Sequence, residues 1–452
     1  MKRDFSHKKV VVTGGGRTGL ALADYFLRRG AEVTLSDRRP AARIPGLQSL
    51  EGKGVNLDLE GHTPELFTSA DLVAISPGVP LTAPAVAAAL AAGVPVLGEI
   101  EIAFSEVFAP IVAITGTNGK STTTTLMGEI FKAWGKKTFV GGNLGTPLTE
   151  AVDGEWDWLV AELSSFQLEA IHEFRPRYAL LLNLSEDHLD RYPDMDSYVA
   201  AKVRIFENMD GGDVAVLNAE DPMVIEAAEG IAPRVVLFSS RRKLSSGMGF
   251  ADGDMVWRRG DDEYRFPAGE LLLKGLHNIE NVMAALIPPL MEGCPPELAW
   301  RTACAFAGLD HRMAPVRVLD GVTWYNDSKG TNVGSVVKSL AGLPAPVTLI
   351  AGGKDKGGDY SPLADPVRAK VRHLILIGQA GPRMASALGE FTHTVMAGTL
   401  EEAVQRAREV TPEGGSVLLS PGCSSFDMFE SFEQRGEVFT RAVRALPERK
   451  AI

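Results

Sequence analysis

The run Ile111-Val112-Ala113-Ile114, the loop TGTNGKSTTTT at Thr115–Thr125 and the segment Leu126-Met127-Gly128-Glu129-Ile130 decide the architecture of this chain. Four consecutive apolar residues read as a buried strand, and the residues after the loop open a helix. A strand, a glycine-turned loop and a helix start make a phosphate cradle. Backbone N–H groups converge, the helix N-terminus adds a positive end, and a lysine supplies a mobile cation. Here that lysine is Lys120, and Ser121 after it carries the kind of hydroxyl that holds Mg²⁺. Ile114 stands where the first glycine of GxxxxGK[ST] belongs, so the loop is a nucleoside-triphosphate site of a narrower type.

Outward from the loop, the chain reads as three α/β blocks. The first begins with a strand at Val10–Val12, the glycine loop Gly14–Gly19, a helix over Leu20–Arg29 and a second strand reaching Asp37. Leu72–Ile75 then leads into the turn Ser76-Pro77-Gly78-Val79-Pro80. The second block holds the lysine loop and strands at Trp158–Ala161, Tyr178–Leu184, Val214–Leu217 and Val235–Phe238, followed by a small antiparallel ribbon between Gly247 and Ala268. The third has strands at Val347–Ala351, His373–Ile377, His393–Met396 and Val417–Leu419. Strand–helix alternation predicts mostly parallel, twisted sheets with ligands beyond the strands' carboxyl ends. The expected division is 1–98, 99–309 and 310–452.

Bulk properties narrow the class. At 452 residues the chain is too long for one core. It is 45% hydrophobic and 23% charged, as soluble globular proteins are. The longest apolar stretch, Ala83–Leu97, is interrupted by Pro84, Gly93 and Pro95, so no integral membrane protein is expected. A net charge of −11 argues against a nucleic-acid partner. Cys294, Cys304 and Cys423 are odd in number and lack metal-ligand spacing, which suits a reducing cytoplasm.

Other motifs are ambiguous one at a time. GGGRTG fits GxGxxG through Gly14, Gly16 and Gly19, with Asp37 about 20 residues on. That pattern needs only a diphosphate at a helix N-terminus, so a UDP group fits as well as NAD. Glu162 closes a strand in AELSSFQL and faces the lysine loop as a possible Mg²⁺ ligand. In NLSEDHLD, His188 is crowded by Asp187 and Asp190 and is either a surface group or a second-metal ligand. Periodicity alone makes Lys202 an exposed lysine of a helix. Three polar turns, YNDSKGTN (Tyr325–Asn332), GGKDKGGDY (Gly352–Tyr360) and SPGCSSFDMFESF (Ser420–Phe432), would form one rim around a small acidic molecule.

TGTNGKST, AELSSFQL, NLSEDHLDRY, the AAK helix, GLHNIEN, DHR, NDSKGTN and SPGCSSFDMF occur in the order of the Mur ligase family, which this chain resembles over nearly its whole length. GGGRTGL, SPGVP and SSFQLE resemble its D-glutamate-adding branch. The resemblance implies a Rossmann-like UDP-binding N-terminal domain, a central P-loop-type ATPase domain and a Rossmann-like C-terminal domain. It implies ATP and Mg²⁺ as cofactors, with UDP-N-acetylmuramoyl-L-alanine and D-glutamate as substrates of a monomer. By motif, ATP would meet Gly116, Thr117, Asn118, Gly119, Lys120, Ser121, Thr122, Asn278, Asn281, Arg312 and Asp327. The metal set would be Ser121, Glu162, His188 and Lys202, the last carbamylated, with Lys120, Glu162, His188 and Lys202 as the catalytic group. Arg17, Thr18, Asp37, Arg38, Asn143, Ser164 and Gln167 would meet the UDP-substrate. Lys329, Thr331, Lys356, Ser425, Phe426 and Phe432 would receive D-glutamate, with Lys354 an alternative to Lys356.

The implied reaction converts a carboxylate to an acyl phosphate, which an amine then attacks. Phosphorylation removes the charge that repels the nucleophile and supplies a leaving group. Two other readings stand beside it: an NAD-dependent oxidoreductase built on GGGRTG and Asp37, and a nucleotide-binding regulator without catalysis.

Overall fold

The computed structural model describes residues 4–188, 191–355 and 357–448. Among them the strands form three sheets. The first comprises β1 (Lys9–Thr13), β2 (Glu32–Asp37), β3 (Asn56–Leu59), β4 (Leu72–Ile75) and β5 (Val96–Gly98), in the order β3-β2-β1-β4-β5. All its pairings are parallel. Val10–Val12 are buried, as a strand covered on both faces must be. The crossover helix Arg17–Arg28 buries Leu22, Ala23, Tyr25 and Phe26 and leaves its charged face in water. Strand order reverses between β1 and β4, which opens a crevice at their carboxyl ends. There a Cβ on Gly19 would run into the Gly14 carbonyl, so the last glycine of GGGRTG is required by close packing.

The second sheet contains β6 (Ile111–Thr115), β7 (Thr138–Gly142), β8 (Trp158–Glu162), β9 (Tyr178–Leu181), β10 (Val214–Asn218), β11 (Arg234–Phe238), β12 (Gly247–Ala251), β13 (Asp254–Arg259) and β14 (Asp262–Pro267). Its order is β14-β13-β12-β11-β10-β9-β6-β8-β7. The expected ribbon is the antiparallel edge β12-β13-β14, turned at Asp252-Gly253 with both residues at positive φ. The strand expected over 178–184 stops at Leu181. Beyond it, Asn183 bonds the phosphate loop instead of continuing the ladder.

The third sheet runs β15-β16-β20-β17-β18-β19, from β15 (Ala314–Leu319), β16 (Val322–Asn326), β17 (Val347–Gly352), β18 (Val371–Ile377), β19 (His393–Met396) and β20 (Ser416–Leu419). The β15–β16 hairpin was not expected from the sequence; it turns at Asp320-Gly321, again with positive φ at both positions. One face of this sheet packs on Val336, Leu340 and Met384, the other on Val404, Phe439 and Val443. It is a doubly wound layer, and burying each such side chain contributes about 1.5–3 kcal/mol.

The chain forms two compact units. One holds the residues up to Leu184 with Asp196–Leu271 and Glu280–Ala305; the other holds Ser185–Met195, Leu272–Ile279 and the chain from Phe306 onward. The first two sheets lie in the former and the third in the latter. No helix among the described residues is long and apolar enough to cross a membrane.

Candidate active site

In the first unit, the loop after β6 is held from both neighbouring strands. Thr115 donates its hydroxyl to the Leu163 carbonyl at 2.8 Å, on the β8 side. On the β9 side, Asn183 accepts from the backbone N–H groups of Thr117 (2.9 Å) and Asn118 (2.8 Å) and donates to the Asn118 carbonyl (2.9 Å). Gly119, at φ +88°, then starts the helix Lys120–Ala133 without lending it a side-chain cap. A helix start of this kind presents N–H groups to an anion.

Two lysines converge on this loop. Lys120 Nζ donates to the carbonyls of Gly116 and Thr117, both at 2.8 Å. Lys202 Nζ donates to the same Gly116 carbonyl at 2.9 Å and lies 4.7 Å from the centre of the Tyr198 ring. Periodicity made Lys202 an exposed lysine, but it is only 2% exposed. The helix Met195–Val203 turns Tyr198, Ala201 and Lys202 inward, and the Tyr198 hydroxyl meets Thr117 Oγ1 at 3.1 Å. Two ammonium groups on one carbonyl make a setting suited to phosphate.

Glu162 is buried at the end of β8, in register with Ile114 of β6. Asn143 holds it twice: its side chain donates to Glu162 Oε1 at 2.6 Å, and its backbone N–H donates to the Glu162 carbonyl at 2.8 Å. Ser121, in the first turn of the lysine helix, is also buried. A hydroxyl and a carboxylate are hard oxygen donors, so the chemistry present fits Mg²⁺. Asn281 also belongs here, since a Cβ on Gly119 would overlap its Oδ1. Thr122 follows in the same helix turn.

At the first sheet, Asp37 Oδ2 accepts from the Gly15 backbone at 2.6 Å and from Arg39 Nη2 at 2.8 Å, and Oδ1 accepts from Arg39 Nε at 2.9 Å. Burial opposes its charge, but Arg39 and the backbone N–H groups outweigh burial and hold the carboxyl at about 2. Arg39, which the sequence reading does not single out, clamps Asp37 beside Arg38, the residue expected near the UDP group. Arg17 reaches the Gly145 carbonyl in the GGNLG loop at 2.8 Å, and Thr18 lies in the same helix turn as Arg17. Ser164 and Gln167 form a reciprocal capping box on the short helix Ser165–Leu168.

In the second unit, Asp327 is buried and accepts from the hydroxyls of Ser339 and Ser420, each at 2.7 Å. Burial pushes it up to about 6 against those bonds and the charge of Arg312. Lys329 Nζ lies 3.7 Å from the centre of the Phe432 ring. Asn332 donates to Asp187 Oδ2 at 3.0 Å, and Asp187 Oδ1 accepts from the His188 backbone at 2.9 Å. A cleft of about 430 Å³ is lined by Asp187, His188, Thr331, Asn332, Tyr360 and Gly422. Ser425 is buried and Phe426 is 67% exposed. Asn278 donates to the Lys274 carbonyl, and Lys354 pairs with Ser424 through its backbone. Lys356 and Asp190 lie outside the described residues.

Several residues at this rim were not found in the sequence. Tyr360 OH sits 3.1 Å from Asp355 Oδ1 and 3.3 Å from Cys423 Sγ, and Asp355 pairs with Arg383. Arg435, fully buried, donates to Ser328 Oγ (2.9 Å), the Ser328 carbonyl (2.7 Å) and the Cys423 carbonyl (3.2 Å). It ties the NDSKGTN turn to the SPGCSS turn. The only signals for these residues were the polar turns they brace.

Comparison with known proteins follows this division of parts. Three family descriptions match in succession: "Mur ligase MurD-like, N-terminal domain" over residues 8–98, "Mur ligase middle domain" over 114–288, and "Mur ligase, glutamate ligase domain" over 311–423. The UDP-N-acetylmuramoylalanine–D-glutamate ligase of Syntrophotalea carbinolica is 63% identical, over 98% of this chain and 99% of its own length. That of Geotalea uraniireducens is 52% identical, over 98% of each chain. Among solved structures, UDP-N-acetylmuramate-alanine ligase from Thermotoga maritima has a TM-score of 0.61 at 18% identity, over 97% of this chain and 100% of its own. MurF ligase from Thermotoga maritima in complex with ADP has a TM-score of 0.61 at 15% identity, over 98% and 97%. At such identities the structural likeness is one of fold.

Proposed function

The chain belongs to the Mur ligase family, and we propose that it joins D-glutamate to UDP-N-acetylmuramoyl-L-alanine, converting ATP to ADP and phosphate through an acyl phosphate. The observation that carries this reading is the convergence of Lys120 and Lys202 on the Gly116 carbonyl, on a loop whose strand is in register with buried Glu162. The proposed division of labour follows the three blocks: UDP-substrate at 1–98, ATP at 99–309, D-glutamate at 310–452.

Lys120 and the first-turn N–H groups would bind the phosphates and neutralise charge as the γ-phosphoryl group moves to the alanyl carboxylate. Mg²⁺, held by Ser121 and Glu162 with a carbamylated Lys202, would withdraw charge from the phosphate oxygens. Asn143 orients Glu162 for that task. Arg17, Thr18, Asp37, Arg38, Ser164 and Gln167 would hold the UDP-substrate, with Arg39 setting the Asp37 carboxylate. In the second unit, His188, Lys329, Thr331, Lys356, Ser425, Phe426 and Phe432 would receive the amino acid and orient its amine. Arg435 would keep their loops in register. Asn278, Asn281, Arg312 and Asp327 would meet the nucleotide.

The oxidoreductase reading fares worse. It leaves the loop on which Lys120 and Lys202 converge, and the buried Glu162 in register with it, without a role. ADP release should require both UDP-N-acetylmuramoyl-L-alanine and D-glutamate. Equal release with L-glutamate, or release indifferent to the amino acid, would overturn the proposal.

Gly119→Ala gives a sharper local check. The position has φ +88° and no room beside Asn281; a side chain in that conformation costs about 1–2 kcal/mol before any overlap. ATP affinity should fall at least tenfold in equilibrium binding, with UDP-substrate affinity unchanged. Unaltered ATP affinity would show that the loop is not read by nucleotide as proposed.

A further inference from the structure

The motif GGKDKGGDY closes β17 and carries four glycines, of which Gly352, Gly353 and Gly357 adopt positive φ. A stretch so rich in glycine has little stiffness of its own, so its shape has to be set from outside. Its end, Gly358, Asp359 and Tyr360, forms one wall of the 430 Å³ cleft that Asp187, His188, Thr331 and Asn332 also line. The outside support comes from Arg383. The helix Gly381–Leu388 buries Gly381, Met384 and Leu388 and leaves the Arg383 side chain half exposed. From there the guanidinium turns back on the motif and meets it three times. Nη1 donates to Asp355 Oδ2, Nη2 donates to the Gly358 carbonyl at 3.1 Å, and the guanidinium carbon lies 5.4 Å from the centre of the Tyr360 ring.

Asp355 passes the restraint on. Its Oδ1 accepts from the Gly357 N–H at 2.9 Å and from the Tyr360 hydroxyl at 3.1 Å. Burial opposes its charge, but Arg383 and these two donors hold the carboxyl below its usual range. Tyr360 is 5% exposed, and its oxygen also lies 3.3 Å from Cys423 Sγ in the SPGCSS turn. An isolated exposed ion pair contributes little, but a planar guanidinium held at three points of a network contributes more. Arg383 itself is not among the residues that line the cleft. Its reach into the cleft is through the wall.

We propose that Arg383 is a positioning residue for the amino-acid substrate, fixing through Asp355, Gly358 and Tyr360 the cleft wall against which D-glutamate binds before its amine attacks. The inference rests on the reading of this cleft, with His188 and Thr331, as the place that receives D-glutamate. A support of this kind acts on binding of the amino acid and not on phosphoryl transfer. Lys120 and Glu162, assigned to that step, belong to the other unit.

Steady-state kinetics of the full chain with Arg383→Met, Arg383→Lys and Asp355→Asn test this. Arg383→Met should raise KM for D-glutamate about fivefold or more, while kcat and the KM values for ATP and UDP-N-acetylmuramoyl-L-alanine stay within about twofold. Arg383→Lys, which keeps a cation beside Asp355, should recover part of that loss. Asp355→Asn should raise the same constant. Combined with Arg383→Met it should be no worse than the weaker single variant, because both changes break one linkage. An unchanged KM for D-glutamate, additive effects in the double variant, or no recovery with lysine would overturn the inference. An equal rise in all three KM values would also overturn it, marking Arg383 as a support of the fold alone. Turnover by the unaltered enzyme that does not depend on D-glutamate would instead overturn the proposed function beneath it.

Discussion

Lys120→Ala should abolish acyl-phosphate formation, lowering single-turnover ADP production by about a thousandfold or more. A preorganised charge aimed at developing phosphoryl charge is commonly worth about 3–4 kcal/mol or more, and a cation inside a phosphate loop belongs at the upper end of that range. Lys120 Nζ rests on the Gly116 and Thr117 carbonyls, the turn a triphosphate would lie against, so the binding geometry is prepared in advance. The UDP-substrate contacts proposed around Asp37 and Arg39 use other strands, and calorimetric affinity for that substrate should be nearly unchanged. Parallel loss of both functions would mean the two sites are not separable in the way argued above. Lys120→Arg should not restore the rate, because a planar guanidinium cannot take the point-charge position of an ammonium.

Lys202→Ala should lower turnover by about a hundredfold or more, and a small carboxylic acid such as acetate should recover part of it. As an ammonium, Lys202 sits buried on a carbonyl that Lys120 already occupies. Reaction of the neutral amine with carbon dioxide forms the N–C bond of a carbamate and releases one proton, turning the cation into a carboxylate. The remaining N–H can keep the Gly116 carbonyl as its acceptor, while the new oxygens suit a hard divalent cation. Acetate diffusing into the space left by alanine would supply those oxygens without the tether. Turnover that is insensitive to acetate, formate and bicarbonate alike would rule the carbamate out.

Parts of this molecule were legible in the sequence for local reasons. The Gly119 and Gly14 turns need positive φ, which few residues other than glycine adopt cheaply, so the loops declared themselves. The apolar runs of β1, β6 and β17 are buried on both faces and needed no tertiary knowledge. Lys202 was different: helical periodicity gives a face but not what that face meets, and here it meets the phosphate loop. The β15–β16 hairpin carries an Asp-Gly signal at its turn, but only β16 alternates along its length and β15 does not. The Arg39–Asp37 pair depends on side-chain direction, which no local pattern gives. Arg383, Tyr360 and Arg435 act through partners about 28, 63 and 107 residues away, and no local pattern encodes such pairs.

The Asn143–Glu162 contact has a kinetic consequence. The side chain assigned to the first substrate and the carboxylate assigned to the cation are the two ends of one 2.6 Å hydrogen bond. A substrate oxygen that draws away the Asn143 amide leaves Glu162 the more available base for a cation, and a cation that draws on Glu162 frees the amide in turn. Arrival of nucleotide-sugar and of metal is then linked, and each should raise the other's apparent affinity by one common factor.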